Sequence, residues 1–195
     1  MRGLTPYGTV ARRAQGQCDN GLACWQRDEG AMTEERAGFS PVRRVVTGHD
    51  ERHVAKVIRD DLAENRRSSR PEVTSTLIWS SDQMPADIGI GEAVEDMGAR
   101  KLPTQPPPNG TRFIVMEFLP GASGQMHRTE TLDYISVLEG EIEMDMDETT
   151  VRLKAGDVMV QRGTNHAWKN RSTRKARLAI VLIDAKPLGI GTPRK

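Results

Sequence analysis

Between residues 111 and 184 the apolar and polar positions fall into short stretches closed by turn residues. "TRFIVMEFL" (111–119), "DYISVLEG" (133–140), "EIEMDMD" (141–147), "TTVRLKAG" (149–156), "DVMVQRG" (157–163), "HAWKN" (166–170) and "KARLAIVLID" (175–184) follow one another. Turn signals recur about every 8 to 12 residues, the rhythm of an antiparallel sandwich or barrel. In "EIEMDM", Ile142, Met144 and Met146 alternate with acids. Such alternation predicts a half-buried strand with one wet face. Upstream, "VRRVVT", "VAKVIRD" and "EVTSTLIWS" (72–80) are rich in β-branched residues and also read as strands. "LAENRRSSR" reads as a polar connection, and residues 81–110, with Pro85, Gly89, Gly91, Pro103 and "PPPNG", as a long irregular loop. Loops of that length more often serve function than not. Residues 1–40 lack an apolar period and read as a disordered leader, with a second methionine at Met32; residues 187–195 read as a flexible tail. No stretch carries a helical stripe, and there is no internal repeat.

The length, 195 residues, suits one domain with tails. Lys and Arg number 28 against 27 Asp and Glu, so no overall field steers the chain to nucleic acid or to an anionic membrane surface. Apolar runs such as "LAIVLI" (178–183) fall far short of the roughly 18 residues of a spanning helix. The first residues lack the apolar core of a secretory signal. Cys18 and Cys24 both lie in the leader without histidines nearby, a poor zinc signal. A reducing cytoplasm is the expected setting.

Chemistry concentrates in "GASGQMHRTETLDYISVLEG" (121–140) and "GDVMVQRGTNHAWKN" (156–170). Strand side chains of equal parity share a face, so in an extended chain His127, Thr129, Asp133, Ile135 and Val137 line one wall. His166, Trp168 and Asn170 form a second set. Two imidazoles and a carboxylate are the donors of the facial triad that holds non-haem iron, and they equally suit zinc. The competing reading is that each histidine is a hydrogen-bonded core or surface residue, with His127 and Asp133 simply bonded to each other in a dry barrel. Glu117 shares parity with Phe113 and Val115, and a carboxylate on that face needs a partner or a metal. Glu130 and Tyr134 neighbour the presumed ligands, but their parity favours solvent. His49 and His53 sit in a polar, turn-like stretch. Gly140, Gly156 and Gly163 read as turn glycines of positive φ. Phe113, Val115, Trp168, Leu178, Ile180 and Leu182 read as barrel filling.

These two stretches resemble the paired motifs of the cupins, Gly-x5-His-x-His-x3,4-Glu-x6-Gly and Gly-x5-Pro-x-Gly-x2-His-x3-Asn. Gly121, His127 and Gly140 match in the first, and Asp133 takes the glutamate position. Gly156, Gly163, His166 and Asn170 match in the second, where Gln161 stands for the proline with one residue fewer before it. The resemblance implies an all-β chain: a single cupin jelly-roll barrel over 111–186, with additional N-terminal strands and the long loop of 41–110 packing on it. It implies a divalent metal ion (Fe, Zn, Mn or Ni) on His127, Asp133 and His166. Thr129 replaces the second histidine of the first motif, and water would take that ligand's place. The implied activity is that of a metal-dependent enzyme of the decarboxylase, dehydratase, isomerase or dioxygenase type. Its substrate would be a small organic acid or oxygenated metabolite, with Glu117 and Tyr134 as candidate catalytic groups. Small cupins of accessory steps in natural-product pathways are the nearest resemblance. A non-catalytic, small-molecule-binding or sensing cupin is the alternative. The expected assembly is a homodimer through residues 42–48 and 72–79, without nucleic acid or membrane.

Overall fold

A computed structural model of the chain describes residues 38–91 and 94–190; residues 1–37 of the leader, residues 92–93 and the last five tail residues lie outside them. Eleven strands follow one another: β1 (Arg43–His49), β2 (Ala55–Leu62), β3 (Arg66–Arg70), β4 (Val73–Ser81), β5 (Thr111–Phe118), β6 (Thr131–Glu139), β7 (Glu141–Asp145), β8 (Thr150–Lys154), β9 (Val158–Arg162), β10 (Ala167–Lys169) and β11 (Ala176–Asp184). No helix among the described residues is long and apolar enough to cross a membrane.

The strands form a six-stranded sheet in the order β3-β4-β5-β11-β6-β9, a three-stranded sheet β10-β7-β8 and the separate hairpin β1-β2. All pairings are antiparallel. Residues 121–127 run beside β10, with His127 and His166 exchanging N–H···O bonds of 2.9 and 2.8 Å and Gly124 N–H donating to Trp168 O at 2.8 Å. The two sheets face each other over a core that includes Ile114, Phe118, Ile135, Val137, Ile142, Met144, Trp168, Leu178 and Ile180. Strand alternation explains the membership: Ala176, Leu178, Ile180 and Leu182 are the inward set of β11, and Ile135 and Val137 that of β6. Complete burial of a side chain such as Leu178 is worth about 1.5–3 kcal/mol.

Two expectations change. "RRSSR", within the stretch read as a polar connection, is the edge strand β3, paired with β4. Its residues are mostly exposed, so no apolar alternation marks it, and arginines suit an unpaired edge. In β5 the inward residues are Ile114 and Phe118, not Phe113 and Val115. Both faces of this strand are covered: Val115 joins a second cluster with Val42, Ala63 and Ile78 on the outer side. With both faces buried, apolar pattern alone does not distinguish in from out. β3 and β4, from the 41–110 segment, are hydrogen-bonded into the barrel's sheet through the β4–β5 pairing.

Gly140 makes the tight β6–β7 connection. Its φ is 72°, and a Cβ there would collide with the carbonyl oxygen of Lys175, so only glycine fits.

Candidate functional site

One inward row crosses the large sheet near the Thr131 end of β6. It runs Ser80 (β4), Arg112 (β5), Leu182 (β11), Asp133 (β6) and Gln161 (β9), each the register partner of the next. The next row is Leu77, Ile114, Ile180, Ile135 and Met159, wholly apolar. A polar layer therefore rests on a dry floor. Ser80, Arg112, Asp133 and Gln161 are each at most 5% exposed, so none is paid for by solvent.

His127 and His166 come from the facing sheet. Directly opposed residues of an antiparallel pair place their side chains on one face, and the imidazole centroids lie 4.3 Å apart at an interplanar angle of 47°. His127 thus reaches the interior by pairing with His166, not by sharing a wall with Asp133; the chain changes sheets between residues 127 and 131. His127 Nδ1 lies 2.9 Å from Gln125 O, and His166 Nδ1 lies 2.9 Å from Thr164 O. A carbonyl only accepts, so each Nδ1 donates the proton, and in the neutral ring Nε2 keeps its lone pair. Metal-binding histidines are oriented by the same kind of outer hydrogen bond. Burial holds the His166 imidazole down at about 4, the nearby His127 adding to the effect and the Thr164 bond opposing it.

Asp133 accepts a 3.0 Å hydrogen bond at Oδ2 from Gln161 Nε2, which lies 3.5 Å from His166 Nε2. Burial raises the Asp133 carboxyl above its ordinary value, against smaller opposing pulls from Thr131 and His127. Asp133 Oδ1 and Gln161 Oε1 are buried without a hydrogen-bond partner. Leaving a buried acceptor unpaired costs about 1–3 kcal/mol, so the layer holds two oxygens that call for a donor or a cation. Thr129 directs its hydroxyl to Thr131 at 2.8 Å.

The expected three-ligand set is only partly assembled. Among the described residues no group of three or more His, Cys, Asp or Glu is arranged to hold a metal ion. His127 and His166 meet, while Asp133, a methylene shorter than glutamate, is linked to His166 through the Gln161 carboxamide. The donor chemistry nonetheless suits a divalent cation: two imidazole lone pairs and two unpartnered oxygens.

Neither Glu117 nor Tyr134 reaches this layer. Glu117, fully buried, lies on the outer face of β5, where Oε1 accepts from Ser40 N–H at 3.0 Å and stands 3.3 Å from Arg177 and 3.8 Å from Lys175. It anchors the segment before β1 to the sheet. Tyr134 is an outward residue of β6, 49% exposed, in a cross-strand row with Phe113, Val181 and Val160. This outer surface forms a shallow apolar depression of about 470 Å³. Three residues of the layer, Ser80, Arg112 and Gln161, were missed as site residues in the sequence. Arg112 is in phase with Ile114 and Phe118, and a charge on a buried face was the available signal; Gln161 is recognisable only from its register with Asp133.

The family model for the cupin domain matches residues 114–183. A phomopsin biosynthesis cluster protein of Diaporthe leptostromiformis is 48% identical over 85 residues, 43% of this chain and 45% of its own length, so the match spans less than half of that relative. A cupin-domain-containing oxidoreductase of Neurospora crassa is 32% identical over 163 residues, 82% of each chain. One of Aspergillus ruber is 31% identical over 153 residues, 76% of this chain and 75% of its own. With the jelly-roll sheets and both motif histidines inside the barrel, these matches establish that the chain belongs to the cupin superfamily.

Proposed function

We propose that this chain is a metal-dependent cupin enzyme of small-molecule biosynthesis, of the oxidoreductase type, acting on an oxygenated metabolite. His127 and His166 would hold the divalent cation through Nε2, with Asp133 and the Gln161 carboxamide oxygen as oxygen donors. Iron, zinc, manganese and nickel all suit this mixed nitrogen and oxygen set. When bound, the ion supplies Lewis acidity or, if it is iron, an oxygen-activating centre. The observation that carries the reading is the pairing of two imidazoles, each fixed through Nδ1, with two buried oxygens that lack partners. The oxidoreductase names of the Neurospora and Aspergillus relatives favour redox chemistry over decarboxylation, dehydration or isomerisation.

The chain's own contribution is environment. The Leu77–Met159 row keeps water from beneath the site, which strengthens every electrostatic contact above it. The neutral His166 imidazole offers its Nε2 electron pair rather than a proton at neutral pH. A cytoplasmic setting, a small-molecule substrate and a homodimer belong to the same proposal. β4 is flanked by strands on both sides, so of the expected contact, residues 42–48 and 72–79, we replace the 72–79 part by the outer apolar row, where Val158 and Val160 are 77% and 59% exposed.

Incubating metal-loaded protein with small-molecule extracts, in air and under argon, tests the activity. Mass spectrometry is expected to find a compound consumed in catalytic amounts, and His166→Ala to abolish its loss. A compound retained in stoichiometric amount and never transformed would instead establish the non-catalytic binding cupin.

A further inference from the structure

Arg112 is the charged residue that the proposed chemistry leaves unused. It is 2% exposed and stands on the inward face of β5, in the same row as Asp133. Two strand spacings of about 4.8 Å separate their backbones, about 10 Å in all, and Leu182 of β11 stands between them in the row. Arg112 makes its hydrogen bonds from Nη1: to Thr111 O at 2.8 Å, Ser81 O at 3.3 Å and Asp82 Oδ1 at 3.5 Å. The Asp82 carboxylate is more tightly held by Arg100. Arg112 Nε is buried with no partner at all.

A purely structural arginine would clamp the ends of β4 and β5 through Nη1 and need nothing more. Burying a guanidinium costs several kcal/mol unless its remaining donors are satisfied. The Nε edge is the one that receives a carboxylate in the two-point, fork-to-fork geometry that distinguishes Arg from Lys. Asp133, two strands along, does not serve: Leu182 of β11 stands between them, and the hydrogen bonds of Arg112 go to Thr111, Ser81 and Asp82 instead.

We infer that Arg112 is the anion-recognising residue of the barrel site, and that the substrate presents a carboxylate or a comparable oxyanion to its Nε edge. This inference rests on the barrel interior being the active site, and it narrows the oxygenated metabolite to an acid. Arg112 positions the substrate, leaving the opposite end of the molecule near His127 and His166.

The test uses the full chain, metal-free, with acetate, oxalate and benzoate as probes and their amides as controls. In nitrogen-15 spectra at least one acid is expected to shift the Arg112 Nε–Hε signal saturably, while its amide does not. Arg112→Gln is expected to weaken binding of that acid by about tenfold to hundredfold, the loss of a charge-assisted hydrogen bond or two. Arg112→Lys is expected to recover only part of it. Acids bound no better than their amides, or bound equally well by Arg112→Gln, would overturn the inference. If Arg112→Gln does not fold, the wild-type acid and amide pairs decide. Metal content separates the two proposals: uptake without acid preference removes the role of Arg112 and keeps the cation, whereas acid preference without uptake does the reverse.

Discussion

Replacing His166 with asparagine tests the electrostatics of the barrel layer. Asparagine does not titrate, and its amide nitrogen stands where Nδ1 stood, so the bond to Thr164 O has a substitute donor. In the metal-free fold the His166 imidazole is held at about 4 against an ordinary 6.5, chiefly by burial. A histidine lowered in this way is neutral in the fold and charged in the unfolded chain between those values. Its contribution is complete above 6.5 and is lost as pH falls toward 4, because the unfolded state then binds the extra proton. About 2.5 units at about 1.36 kcal/mol each give a ceiling of about 3 kcal/mol. About 2.5 kcal/mol of this falls between about pH 7.5 and 4.5. Asp133 runs the other way: its raised carboxyl takes a proton first in the fold, so its contribution declines as pH rises above the ordinary carboxyl range. Both proteins carry Asp133, so subtracting one profile from the other largely removes it. Urea unfolding in chelator across this range is expected to show wild type losing about 2.5 kcal/mol more than His166→Asn on acidification. A difference that stays flat within about 0.5 kcal/mol would refute a buried neutral imidazole.

Gln161→Leu removes the donor to Asp133 and one unpartnered oxygen; calorimetric titration is expected to find metal affinity lower by about tenfold to hundredfold with stoichiometry kept. Glu117→Gln leaves Arg177 and Lys175 without their carboxylate; thermal and urea unfolding are expected to register a loss of about 2 kcal/mol, with metal affinity unchanged. A drop in metal affinity would return Glu117 to the site. Val160→Asp places a charge in the outer apolar row, and light scattering is expected to find a monomer where wild type is a dimer; a wild-type monomer at micromolar concentration would remove the dimer from the proposal.

How much of this was legible in the sequence depended on which forces act locally. The strands from 111 to 184 were readable because one face of most of them is wet, so "EIEMDM" displays its alternation openly. β5 concealed its orientation because Val115 and Glu117 are covered by the segments around Val42 and Ala63, a contact made with a distant part of the chain. That hidden layer is why Glu117 looked like an interior carboxylate. β3 was missed for the opposite reason: its arginines and serines bury little, and only pairing with β4 makes it a strand. His127, Asp133 and His166 were found by motif spacing, but spacing carries no information about the side-chain interval that the shorter aspartate leaves. The Gln161 bridge and the orphaned Nε of Arg112 are consequences of cross-strand register, which no local pattern encodes.

The decisive measurement is elemental analysis of the tag-free full chain, prepared without air and dialysed against limiting iron, zinc, manganese and nickel in turn. If His127, His166 and Asp133 serve one cation, wild type retains about one equivalent of at least one metal, and His127→Ala and His166→Ala each retain less than about a tenth of it. Folded wild type that retains none of the four, or variants that retain as much as wild type, would contradict the metal centre.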